Sequence, residues 1–223
     1  MHSTLSPTKR ERRKEARPGE LLDAALSLFV EKGFAATRVE EVAARAGVSK
    51  GTLFLYFPSK EELFKAVVRE TIAGRFGEWN DELAAFEGSS AELLRFTMNA
   101  WWERIGMTAA SGITKLVMSE AGTFPEIASF YQHEVIDPGR ELLKRVLQRG
   151  IDRGDFRAMD VDSAVYSLIA PMIFLLMWKH SMAPCCPPSD RLDPNGFLDT
   201  QVGLLLDGMR VRTEPEIPKK TSP

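Results

Sequence analysis

Few side chains in this sequence are placed for covalent chemistry. It has three histidines, His2, His133 and His180, and two adjacent cysteines, Cys185 and Cys186, within APCCPP. A bridge between neighbouring cysteines is strained, and no Cys or His stands nearby at metal-ligand spacing. There is no Gly-rich phosphate loop, zinc motif or nucleophile elbow. Glu92 and Glu120 have no partner at useful spacing. No catalytic residue, metal or resident cofactor is expected. The residues whose types and spacing point to recognition lie in 37–60, TRVEEVAARAGVSKGTLFLYFPSK. Hydroxyls, cations and aromatic rings gather there on what the spacing reads as two short helices joined by a tight turn.

Those side chains need two short helices and a tight corner to position them. Thr37 with Glu40 has capping-box spacing and opens one helix, with Val39, Val42 and Ala43 inward. Gly47 supplies a positive φ at the corner Ala46-Gly47-Val48. Ser49 caps the next helix, which ends at Pro58. Val42, Val48 and Leu53 fill the wedge between the two, and small Ala43 permits close approach. Such a pair can lay its second helix in a major groove. Before it, the spacing predicts a helix from Pro18 to Lys32, with Leu22, Ala25, Leu26 and Phe29 as its apolar stripe and Gly33 as its stop. After it, Ser59 and Glu62 form a second capping box and open a fourth helix, SKEELFKAVVRETIAGRF.

The rest reads as helical over 91–106, 111–120, 124–152, 160–181 and 195–212, with breaks at Gly and Pro clusters. The fold class is therefore all-α: an N-terminal three-helix head and a C-terminal helical bundle. The expected organisation is a disordered basic arm at 1–17, the head at 18–64, the bundle at 65–212 and a disordered tail at 213–223. Hydrophobic residues are 44% and charged residues 27% of the 223, enough apolar material for a core. Net charge is −2, yet residues 1–60 carry +4 and the remainder −6. A basic end on an acidic body suits contact with a polyanion. The N-terminal segment MHSTLSPTKRERRKEAR lacks the apolar stretch of a secretory signal. The longest uncharged apolar run, 163–178, is shorter than the roughly 20 residues of a membrane span and contains a proline. A cytoplasmic protein with no membrane contact is expected.

Over residues 18–64 the sequence closely resembles the DNA-binding signature of the TetR family of bacterial repressors: LLDAALSLFVEKGF, then TRVEEVAARAGVSKGTL, then FPSKEEL. Past about residue 75 only the general all-helical plan agrees. The resemblance implies double-stranded operator DNA as partner. It implies a phosphate contact at Thr37, backbone contacts at Arg38 and Ser49, and base-edge contacts at Lys50, Gly51 and Thr52. It further implies phosphate contacts at Tyr56 and Lys60. Phe54 stands where the family usually has Tyr, so a hydroxyl is missing, although the ring can meet a thymine methyl.

The resemblance also implies a homodimer through the last two helices. The apolar sets Val165, Leu168, Ile169, Met172, Leu176 and Val202, Leu205, Leu206, Met209 are the candidates. A small, hydrophobic effector is expected in the middle helices, with Met98, Trp101, Trp102, Ile105, Met118, Phe130, His133, Phe174 and Trp178 as candidate lining residues. The fourth helix, with Gly74 and Gly77 near its end, is the expected lever between ligand and head. Two alternatives stay open: a helical DNA-binding protein without effector, and a helical enzyme.

Overall fold

The computed structural model describes residues 9–211, with side chains from residue 18 onward. Eleven α-helices run through the described residues: α1 Lys9–Ala36, α2 Val39–Arg45, α3 Lys50–Tyr56, α4 Lys60–Thr71, α5 Phe76–Ala85, α6 Ser90–Trp101, α7 Ser111–Glu120, α8 Pro125–Tyr131, α9 Asp137–Asp152, α10 Val161–Met177 and α11 Pro194–Met209. Three single π turns, Trp102–Gly106, Gln132–Ile136 and Trp178–Met182, extend α6, join α8 to α9 and extend α10. The first eight residues of the expected arm, and the expected tail, lie outside the described residues. Helix α1 already begins at Lys9, within the expected arm, so Pro18 sits inside the helix and not at its start.

Two cores organise the chain. The first joins α1–α4 to α7 and α8, with Leu21, Ala25, Leu28, Phe29, Phe34, Leu53, Phe64 and Ile113 buried in it. The stripe of α1 is centred on Leu21, Ala25, Leu28 and Phe29, with Leu22 and Leu26 on its flank. The head is thus closed by helices of the body, as a unit of its size needs. The second core joins α6, α9, α10 and α11 through Leu93, Met98, Val146, Leu168, Leu176, Val202 and Leu206.

Two expectations change here. The fourth helix stops at Thr71, whose hydroxyl donates to the Val67 carbonyl at 2.7 Å, a bond that competes with the helix ladder. The chain then turns through Ala73–Arg75 and restarts as α5. The residues assigned to a dimer face are also mostly interior. Val165, Leu168, Met172, Leu176, Val202, Leu206 and Met209 are buried within the chain, while Ile169 and Leu205 are half-buried against the second core. Helix α10 is apolar all round, so periodicity alone does not say which face turns inward. Its uncovered face carries Tyr166 and Phe174, and α11 exposes Leu204.

Candidate nucleic-acid interface and ligand cavity

The α2–α3 pair is built as its local sequence requires. Val42, Ala43 and Leu53 are buried between the helices, and Gly47 has φ +69° at the corner, a conformation that side chains disfavour. The Ser49 hydroxyl accepts the Thr52 N–H at 3.1 Å and caps α3. That cap leaves Lys50, Gly51, Phe54 and Leu55 on the exposed face, with Tyr56 and Thr52 half-buried beside it. Arg38, at the N-cap of α2, is exposed as well. The Lys50 ammonium lies 5.6 Å from the Phe54 ring centroid and pairs with Glu40 across the corner. That pairing holds the Glu40 carboxyl below its usual range. Leu55 is 85% exposed. An apolar side chain so bare on the outer face of a short helix has no partner within the described residues, and sequence reasoning missed it. Its alternation with buried Leu53 was the available signal.

Two predicted phosphate contacts are placed otherwise. Thr37 is 1% exposed, and its hydroxyl points inward to the carbonyls of Gly33 at 2.7 Å and Leu28 at 3.2 Å. It does not cap α2, whose N-cap is Arg38 without a side-chain bond. The reason lies upstream: Gly33 takes φ +82° and breaks the helical run, and Thr37 satisfies the carbonyls freed there. The Lys60 ammonium donates to the carbonyls of Phe34 at 2.8 Å, Thr37 at 3.2 Å and Ala35 at 3.3 Å. It also sits 4.4 Å from the Phe34 ring centroid. Its three N–H donors are spent on the 34–37 turn. Ser59 caps α4 by accepting the Glu62 N–H, but Glu62 pairs with Lys65 and does not close a box.

The same turn is held from the body. At the C-terminal end of α7, the Glu120 carboxylate accepts the N–H groups of Phe34 at 2.8 Å and Ala35 at 3.0 Å. A side chain at Gly33 would run into that carboxylate. Phe124, just beyond, stacks edge-on against Phe34 at 5.0 Å.

Between the two cores lies a cavity of about 330 Å³. Its wall takes Ile72 from the end of α4, Phe76, Trp79 and Leu83 from α5, and Phe96, Ala100 and Trp101 from α6. Helix α7 adds Thr114, Val117 and Met118, α9 adds Gly139, Arg140 and Leu143, and α10 adds Ile169, Met172 and Leu176. Phe96, Met118 and Ile136 line it and remain exposed, marking where it opens. Tyr131 lines it too; its hydroxyl pairs with Thr114 at 2.9 Å, and burial pushes its pKa up to about 12.

Of the predicted lining residues, Trp101, Ile105 and Met118 are on this wall. The other six are not. Met98 and Trp102 are buried in the second core. Phe130 packs on the first core beneath the cations of Lys65 and Arg69. His133 is exposed and pairs with Asp137 at 3.3 Å. Phe174 stacks outside on Phe197 at 5.6 Å, with Trp178 beside it at 6.1 Å.

Residues 21–67 match the family described as bacterial regulatory proteins, tetR family, and residues 87–184 match the tetracyclin repressor-like C-terminal domain. The chain is 31% identical over 202 residues to the HTH-type transcriptional repressor KstR2 of Rhodococcus jostii (strain RHA1), covering 88% of this chain and 92% of that protein. The ketosteroid transcriptional regulator KstR2 of Mycobacterium tuberculosis shares the fold at a TM-score of 0.64 and 25% identity, covering 88% of this chain and 96% of that one. FadR from Bacillus subtilis, solved in complex with stearoyl-CoA, shares it at a TM-score of 0.70 and 19% identity, covering 86% and 99%. The two-part match and the full-length relative agree with the helix-turn-helix head and the cavity-bearing helical body, and the chain belongs to the TetR family of DNA-binding bacterial transcriptional regulators.

Proposed function

We propose that this chain is a cytoplasmic repressor that holds its operator as a homodimer and is released when a small, largely apolar molecule fills the cavity between the two cores. The observation that carries the reading is the shared ownership of two helices. Helix α7 puts Thr114, Val117 and Met118 on the cavity wall and Glu120 on the turn that leads into α2. Helix α4 puts Leu63, Phe64 and Val67 into the head core, and Ile72, the residue that follows its last turn, lies on the wall. A ligand that repacks the wall therefore shifts the head by two routes, and its differential affinity for the two arrangements is the coupling.

Arg38, Lys50, Gly51, Phe54 and Leu55 form the surface offered to DNA, with Ser49, Thr52 and Tyr56 at its margin. One such surface reads one half-site, so two copies related by a two-fold axis suit a palindromic operator. The bare apolar faces of α10 and α11, with Tyr166, Phe174 and Leu204, supply the dimer contact. The relative KstR2 is a repressor, and the neighbour FadR holds an acyl-CoA; both favour repression and an apolar ligand here.

The test is fluorescence anisotropy on a duplex from DNA flanking the gene, titrated with apolar small molecules. Release by one of them from the wild type, and loss of that release in an Ala100→Trp variant with its cavity filled, supports the reading. A molecule that releases both proteins equally acts elsewhere and overturns it.

A further inference from the structure

We propose that the ligand of this cavity is an amphipath with a carboxylate at one end of an apolar body, and that Arg140 and the indole N–H of Trp79 hold the carboxylate. The proposal rests on the reading of the cavity as the effector site and adds the ligand's chemical class.

Among the described lining residues, Glu82 and Arg140 carry charge. Glu82 is already matched: Arg104 grips it with two parallel bonds of 2.8 and 3.0 Å. Arg140 is not. Its nearest carboxylate, Asp137, stands 3.9 Å from Nη1, at the limit of an ion pair. The Asp137 oxygens are occupied by Gln132 at 2.6 Å and His133 at 3.3 Å. The Arg140 guanidinium carbon lies 5.1 Å from the centre of the Tyr166 ring. Its Nε is buried and has no acceptor, and the same holds for Nε1 of Trp79.

Leaving a buried donor without an acceptor is costly, and folded proteins pair nearly all of them. Here two orphans lie on one wall, on helices that meet: the Phe76 ring of α5 is 3.7 Å from where a side chain on Gly139 of α9 would begin. The wall offers little in return, since the hydroxyls of Thr114 and Tyr131 bind one another and that of Thr97 donates to Leu93. Water is a poor answer. A water between two donors needs acceptors for its own protons as well; ordered waters make two to four polar contacts, and this wall is mostly hydrocarbon. A carboxylate accepts only, carries the charge opposite to the guanidinium, and matches its planar fork. The apolar remainder of the wall takes the apolar remainder of the ligand.

Isothermal titration calorimetry with decanoate and decan-1-ol, probes of equal chain length, tests this on the wild type and on Arg140→Met and Trp79→Phe variants. Decanoate should bind the wild type at least about tenfold tighter than decan-1-ol. Arg140→Met should bring the two within about twofold by weakening decanoate far more than decan-1-ol, a pattern that a merely destabilised fold does not produce. Trp79→Phe should weaken decanoate alone. Equal binding of the two probes to the wild type, or a preference that survives Arg140→Met, overturns the carboxylate assignment and leaves the cavity reading standing. Binding of neither probe overturns both.

Discussion

Glu120 and Phe34 are 86 residues apart in sequence, and the carboxylate of the first accepts the backbone N–H of the second at 2.8 Å. The bond ties the last turn of a cavity-lining helix to the segment that aims α2 and α3. Truncation by Glu120→Ala leaves two N–H groups without their charged acceptor and should lower stability by about 2 kcal/mol, since such bonds contribute roughly 1.5–3 kcal/mol each before exposure is discounted. Urea unfolding reads this directly, with Glu120→Gln, which keeps one acceptor oxygen, falling between. An unchanged midpoint for Glu120→Ala would show that the clamp carries no energy.

Lys60 separates a structural from a DNA-contacting lysine. Because its ammonium is engaged by the carbonyls of Phe34, Ala35 and Thr37, Lys60→Met should lower the melting temperature. It should leave the salt dependence of DNA binding close to that of the wild type. A lysine spent on phosphate would instead reduce the log–log salt slope by about one.

Leu55 gives the opposite pattern. It is 85% exposed, so Leu55→Ala should move stability by less than about 0.5 kcal/mol. If the side chain meets a thymine methyl, operator affinity should fall about tenfold, since each buried CH₂ contributes about 0.8 kcal/mol. Anisotropy on a bound duplex, paired with a thermal melt of the same sample, checks both halves. Unaltered affinity would remove Leu55 from the reading surface.

Tyr131 sets an alkaline limit. Burial pushes its pKa from the usual 10.0 to about 12, so the unfolded chain loses this proton first. The corresponding stability is complete below pH 10 and declines as pH rises toward 12, by about 3 kcal/mol in all. The difference between wild type and Tyr131→Phe in urea midpoint should therefore shrink across that window. A constant difference would contradict the burial of a neutral phenol.

The parts of this molecule that were legible in sequence are those fixed locally. Ala43, Gly47, Ser49 and Leu53 lie within eleven residues and specify a corner whose geometry follows from a positive φ, a cap and a wedge. Thr37 looked equally local, yet the break at Gly33 turned its hydroxyl toward carbonyls that a capping pattern does not consider. Met98 and Trp101 stand one helical turn apart on α6, and one fills a core while the other lines a cavity. Only the packing of other helices, α9 and α11 among them, against α6 decides between them. Glu120 owes its role to backbone groups contributed by another helix, and no spacing along the chain records that. The apolar run in α10 did not say which of its faces the second core takes and which stays bare.

Selection of bound sequences from a random duplex library tests the central claim most directly, because it asks for sequence reading and two-fold symmetry at once. The account predicts enrichment of an inverted repeat, lost when Lys50→Ala and Leu55→Ala are combined. Enrichment of no motif, or of a single half-site without symmetry, would contradict a homodimeric operator reader.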